Sequence, residues 1–69
     1  MKLSARNQLK GKVVKVKRGL VNAEVIVHLP GGEEIVSIVT IESIKALGLK
    51  SGVEVYAVIK ASNVLLAVD

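Results

Sequence analysis

The chain contains no cysteine, tryptophan or phenylalanine; Tyr56 is its one aromatic residue and His28 its one histidine. Without cysteine there is neither a disulfide nor thiolate-bound zinc to staple a small fold. Without aromatics there is no set of platforms on which bases could stack. That weakens the nucleic-acid partner that a small basic β-domain otherwise suggests. No apolar run approaches the length that spans a bilayer. The start, Met1-Lys2-Leu3-Ser4-Ala5-Arg6-Asn7, lacks the apolar stretch of a secretory signal, so a cytoplasmic protein is expected.

Catalytic groups are equally scarce. His28 precedes a turn on the polar face of a predicted strand, with no partner at a suggestive spacing, and reads as a solvated surface residue. Glu33 and Glu34 are adjacent, so along a strand they face opposite ways and make a poor acid–base pair. Gly31-Gly32 is followed by no helix that could hold a phosphate, and no P-loop or metal-binding helix motif occurs. No enzyme, no organic cofactor and no free metal cation is expected.

What the chain does have is aliphatic side chains and positive charge. Hydrophobic residues make up 51% of its 69 positions, and the formal net charge is +4. One domain over residues 1–69 is expected. So short a chain buries only about 60% of its unfolded surface, which leaves an isolated core marginal. Association with further copies is the remaining common remedy, and a basic balance suggests an anionic partner.

The patterns predict β-β-β-α-β-β. Asn7 to Lys17 alternates, but its apolar face changes partway, which predicts a bulge or bend placed at Gly11. Asn22 to Leu29 alternates with Ala23, Val25, Val27 and Leu29 on one face, and Leu29-Pro30-Gly31-Gly32 suits a turn. Glu34 to Val39 is the third strand. Ile41, Ile44 and Leu47 then recur at threes, with Thr40 as N-cap and Gly48 as stop, predicting one short helix. Val53 to Lys60 is a strand with Val53, Val55, Ala57 and Ile59 on one face. Val64 to Val68, apolar on both faces, is predicted as the fifth. The order matches a mainly β, five-stranded OB-like barrel with one short helix. Apolar residues on both faces of several strands predict that the outer face packs against other subunits.

Polar residues gather at three places. Ser4, Arg6 and Asn7 cluster before the first strand, Thr40 and Ser43 stand at the helix start, and Lys60 precedes Ala61-Ser62-Asn63 in a turn. Two cations, several hydroxyl donors and free turn N–H groups are what a small dianionic oxyanion needs. The same residues also serve as helix caps, turn formers and solvated charges, and spacing leaves both readings open.

The stretch S-A-R-N-Q-L-K-G-K-V, with S-I-V-T-I-E-S-I and V-I-K-A-S-N-V further on, resembles the molbindins. These are small cytoplasmic molybdate-binding proteins whose domain recurs in molybdate-responsive regulators and transporter ATPases. The resemblance spans nearly the whole chain. It implies an OB-like barrel assembled as a hexamer, a trimer of dimers, binding molybdate or tungstate between subunits for storage or homeostasis. It places Ser4, the Ala5 backbone and Arg6 on one side of a shared site, with Asn7 bracing the loop. Thr40, Ser43, Lys60 and the Ala61 backbone come from a neighbour, with Ser62 in the same turn. The Arg18 to Asn22 turn is a candidate for further sites. A nucleic-acid-binding OB module and a purely structural oligomerisation domain are the alternative functions.

Overall fold

A computed structural model describes every residue from Met1 to Asp69. The element order is β1 (Asn7–Arg18), β2 (Asn22–His28), β3 (Glu34–Thr40), α1 (Ile41–Leu47), β4 (Glu54–Ile59) and a 3-10 turn at Ala61–Asn63. The strands form one antiparallel sheet in the order β3-β2-β1-β4, curled around an apolar interior as half a barrel. Alternation in β2 works as its pattern predicts: Ala23, Val25 and Val27 are buried, and they form the core with Val13 and Ile44. Val55, Ala57 and Ile59 line the inner face of β4 and, like Val53 just before it, are half-buried. No helix is long and apolar enough to cross a membrane.

The bulge in β1 lies at Val14, not Gly11. Val13 pairs with Val27 and Lys15 with Ile26, so Val14 is the extra residue. The inward positions accordingly run Gly11, Val13 and then Val16, a step of two followed by a step of three. Gly11 serves a different purpose, close approach. A Cβ there would meet the His28 carbonyl oxygen at 2.6 Å and Val27 Cγ1 at 2.7 Å. The loop after α1 hooks onto the strand at the bulge. Gly52 N–H donates to Val13 C=O at 2.7 Å, Val13 N–H to Val53 C=O at 2.9 Å, and the Ser51 hydroxyl to Val14 C=O at 3.3 Å.

The helix begins and ends where its sequence signals place it. Gly48 takes up the left-handed conformation (φ 63°) that a residue with a Cβ avoids, and its N–H closes onto the last turn. Ile44 is buried, but Leu47, expected on the same stripe, is 68% exposed at the rim of the open interior.

The fifth strand is the main departure from expectation. Val64 to Asp69 form no secondary structure in the chain, and every one of these residues is exposed. A strand needs an edge to pair with, and no backbone hydrogen bond connects Leu65 to Asp69 with either edge of the sheet. The barrel is therefore left open between β3 and β4.

Candidate functional site

The ladder between β1 and β4 ends at the pair Asn7 and Ile59. Arg6 and Lys60 are the next residue on each strand, so the antiparallel pairing brings the N-terminal polar stretch beside the Lys60 turn. Gln8 Nε2 donates to the Ala5 carbonyl at 2.7 Å, bending residues 5–8 into a local brace. Asn7 is half-buried at the head of the strand; Ser4 and Arg6 are exposed. On the facing side, Asn63 N–H donates to Lys60 C=O at 2.8 Å and Val64 N–H to Ala61 C=O at 3.3 Å. The first N–H groups of a helical turn have no partner within it, so those of Ala61 and Ser62 are available to a ligand.

Charge at this end of the sheet is uncompensated. The two ion pairs in the chain are Lys10–Glu54 and His28–Glu34, and neither Arg6 nor Lys60 takes part in one. No Asp or Glu lies in residues 1–23 or 55–68 of the sequence. Two cations and several neutral donors, with no neighbouring carboxylate along either segment, favour an anion.

Thr40 and Ser43 stand elsewhere. Thr40 pairs with Asn22, and Ala23 with Arg18, which puts the start of α1 at the far end of β1 from Asn7. The Thr40 hydroxyl oxygen accepts from the Ser43 N–H at 3.0 Å and donates its proton to Ser43 Oγ at 2.9 Å. Thr40 thus caps the helix. The relay leaves the Ser43 hydroxyl proton as the free donor, polarised by the bond it accepts.

Within one chain the predicted site residues fall into two groups: Ser4, Ala5, Arg6 and Asn7 with Lys60, Ala61 and Ser62, and Thr40 with Ser43 apart. The family resemblance puts Lys60 on the Thr40 side of a shared site; in the chain, the Asn7–Ile59 pairing puts it on the Arg6 side.

One arrangement has no counterpart in the sequence reading. Glu54, Lys12, His28 and Glu34 are successive cross-strand partners, a charged row running across all four strands. His28, read as merely solvated, is about half exposed and meets the Glu34 carboxylate through Nε2. Lys10 Nζ lies 3.2 Å from Glu54 Oε2. That hydrogen bond and charge raise the Lys10 pKa above its ordinary value. Strand register, which no local pattern displays, makes these contacts.

The TOBE domain model matches residues 3–66. Molybdenum-pterin-binding protein 3 of Clostridium pasteurianum is 54% identical over 66 residues, covering 96% of this chain and 97% of its own. Among solved structures, MopII from Clostridium pasteurianum superposes with a TM-score of 0.92 at 48% identity, covering 97% of this chain and 100% of its own. The cytoplasmic molybdate-binding protein ModG, with molybdate bound, gives a TM-score of 0.95 at 55% identity. It covers all of this chain, which spans 49% of ModG. Match and alignments run through both polar segments and the sheet between them, and the chain belongs to the TOBE-domain family, among the small molybdenum-pterin-binding proteins known as molbindins.

Proposed function

We propose that this chain is a non-catalytic binding protein for molybdate, and for tungstate by the same chemistry, serving molybdenum storage or homeostasis in the cytoplasm. It acts as one domain over residues 1–69, assembled as a homo-oligomer, a hexamer by the family resemblance. The observation that carries the reading is the juxtaposition of Arg6 and Lys60. They are two unpaired cations set side by side by the last rung of the β1–β4 ladder.

Arg6 offers a planar fork of N–H donors and Lys60 a point charge, together matching the two negative charges of a tetrahedral oxyanion. Ser4 adds a hydroxyl, and the Ala5, Ala61 and Ser62 backbone adds N–H donors. Thr40 and Ser43 sit at the opposite end of β1, so they reach the same anion only from another copy. The site is accordingly proposed at an interface, the Arg6–Lys60 end of one copy against the Thr40–Ser43 end of another. In a lone chain these donors are exposed and screened by water; burial between copies strengthens each charge-assisted bond. Sulfate carries the same charge and shape in a smaller ion, so selectivity rests on the size of the enclosed cavity.

Calorimetric titration of the purified chain with molybdate, tungstate and sulfate tests the reading. Molybdate and tungstate should bind tightly and sulfate more weakly by at least tenfold. Absent or equal binding of all three would sink it. Because the relatives' names include a pterin, a pterin without molybdate is the matching control. It should release no heat, since Tyr56 is the chain's one aromatic ring.

A further inference from the structure

Met1 to Arg6 stand outside every helix and strand, and no backbone–backbone hydrogen bond involves them. The ion pairs and the other side-chain hydrogen bonds of the chain do not reach them either. Their one hydrogen bond to the rest of the fold is the one that Gln8 Nε2 donates to the Ala5 carbonyl at 2.7 Å. A terminal stretch without ladder bonds frays unless something ties it down. Here the tie falls in the middle of Ser4-Ala5-Arg6. Ala5 is half-buried, while Ser4 and Arg6 on either side of it are exposed.

Gln8 can hold this segment because of where the sheet puts it. It is the second residue of β1 and pairs with Val58, one rung inside the Asn7–Ile59 end of the ladder. Its backbone is thus fixed, and its exposed side chain is free to turn back over three residues. The amide must present its NH2 group to Ala5, since the opposite orientation would set two carbonyl oxygens against each other. The peptide unit joining Ala5 to Arg6 is planar and trans, so its C=O and N–H point opposite ways. Holding the Ala5 carbonyl on one side therefore fixes the direction of the Arg6 N–H on the other. It also fixes the point from which the guanidinium side chain departs. The facing cation has its own support: the Lys60 turn is closed by the Asn63 and Val64 N–H groups.

We infer that Gln8 is a positioning residue for the oxyanion site, holding the Ala5–Arg6 peptide, and through it Arg6, in place before a ligand arrives. It touches no anion itself. The inference rests on the molybdate reading proposed above and adds to it a residue outside the donor set. A donor segment that is already ordered loses less conformational entropy on binding, which is how preorganisation raises affinity.

Two substitutions at this exposed position test it. Gln8→Met keeps the length and the neutral charge but removes the donor. Gln8→Glu keeps the shape and sets an acceptor against the Ala5 carbonyl. Backbone amide relaxation, measured by NMR on the ligand-free chain, reads the segment directly. In the parent, the Ala5 and Arg6 amides should show order parameters near the rigid value of about 0.85, falling below about 0.6 in both variants. Those of Ala61 and Ser62 should not change. Calorimetry should then show molybdate weakened roughly three- to tenfold in Gln8→Met, the size of one neutral hydrogen bond. The ligand-free thermal midpoint should stay with the parent's. Ala5 and Arg6 amides as rigid in either variant as in the parent would overturn the inference. So would a Gln8→Met chain that matches a molybdate-binding parent in affinity, or one whose midpoint drops by several degrees. A parent that itself binds no molybdate removes the molybdate reading and this inference with it, so the parent titration tells the two failures apart.

Discussion

Gly11 and His28 approach so closely across β1 and β2 that a Cβ on the glycine would lie 2.6 Å from the histidine carbonyl oxygen. The obstacle is backbone within a hydrogen-bonded ladder, which cannot swing aside as a side chain tip can. Gly11→Ala should therefore destabilise by about 1–3 kcal/mol, the usual cost of overpacking a filled site. Urea unfolding monitored by far-UV circular dichroism measures it. A midpoint equal to the parent's would show that the strands can part there freely.

Thr40 and Ser43 share two hydrogen bonds but have separable duties. Thr40→Ala removes the oxygen that accepts from the Ser43 N–H, and should cost about 1 kcal/mol as a lost N-cap, whereas Thr40→Ser keeps it. Ser43→Ala leaves the capping bond intact, because that bond uses the backbone N–H. It should leave the thermal midpoint nearly unchanged while weakening molybdate. Parallel melting curves and titrations separate the two roles. If Ser43→Ala lowers the midpoint as much as Thr40→Ala and leaves affinity alone, Ser43 is structural only.

Much of this was legible locally. Helix α1 announces itself through Thr40, Gly48 and the spacing of Ile41 and Ile44. The inner face of β2 follows from strict alternation at Ala23, Val25 and Val27. Gly11 looks like a breaker and so draws the expected bulge to itself. The true extra residue, Val14, is an ordinary β-former, and only cross-strand register exposes it. The same non-locality hides the row Glu54–Lys12–His28–Glu34. For the residues proposed to bind the anion, the sequence supplies the donors but not their grouping. That Lys60 adjoins Arg6 rather than Thr40 depends on which rung ends the β1–β4 ladder. The Val64–Val68 pattern reads as a strand, but no backbone hydrogen bond ties Leu65 to Asp69 to either edge of the sheet, so local apolarity does not decide its pairing.

The Lys10–Glu54 pair predicts a weak and one-sided pH response. Glu54 raises the Lys10 pKa above its ordinary 10.5, so the pair's contribution is fully present below that value. It is lost as pH rises through the higher folded-state value. Both side chains are well exposed, and solvent screening keeps the contribution small. The difference in thermal midpoint between the parent chain and Lys10→Met should hence be small and flat from about pH 6 to 9, shrinking only above the ordinary lysine range. A difference that grows between pH 9 and 11 would reverse the sign assigned to the pair.

Arg6 and Lys60 make the sharpest case, because stability and binding should part company there. Both are exposed, and neither holds an ion pair. Removing either breaks no intramolecular bond of the fold, so Arg6→Ala and Lys60→Ala should melt with the parent chain when no ligand is present. A charge-assisted hydrogen bond contributes about 1.5–3 kcal/mol. Each substitution should then weaken molybdate by roughly 10- to 150-fold, at about tenfold per 1.4 kcal/mol. Arg6→Lys keeps the charge but loses the planar fork, and should fall between parent and alanine variant. Molybdate in excess raises the parent's midpoint by mass action, and the rise should be smaller in every variant. An alanine variant whose ligand-free midpoint drops by several degrees would mark the residue as structural. One that binds molybdate like the parent would remove it from the site.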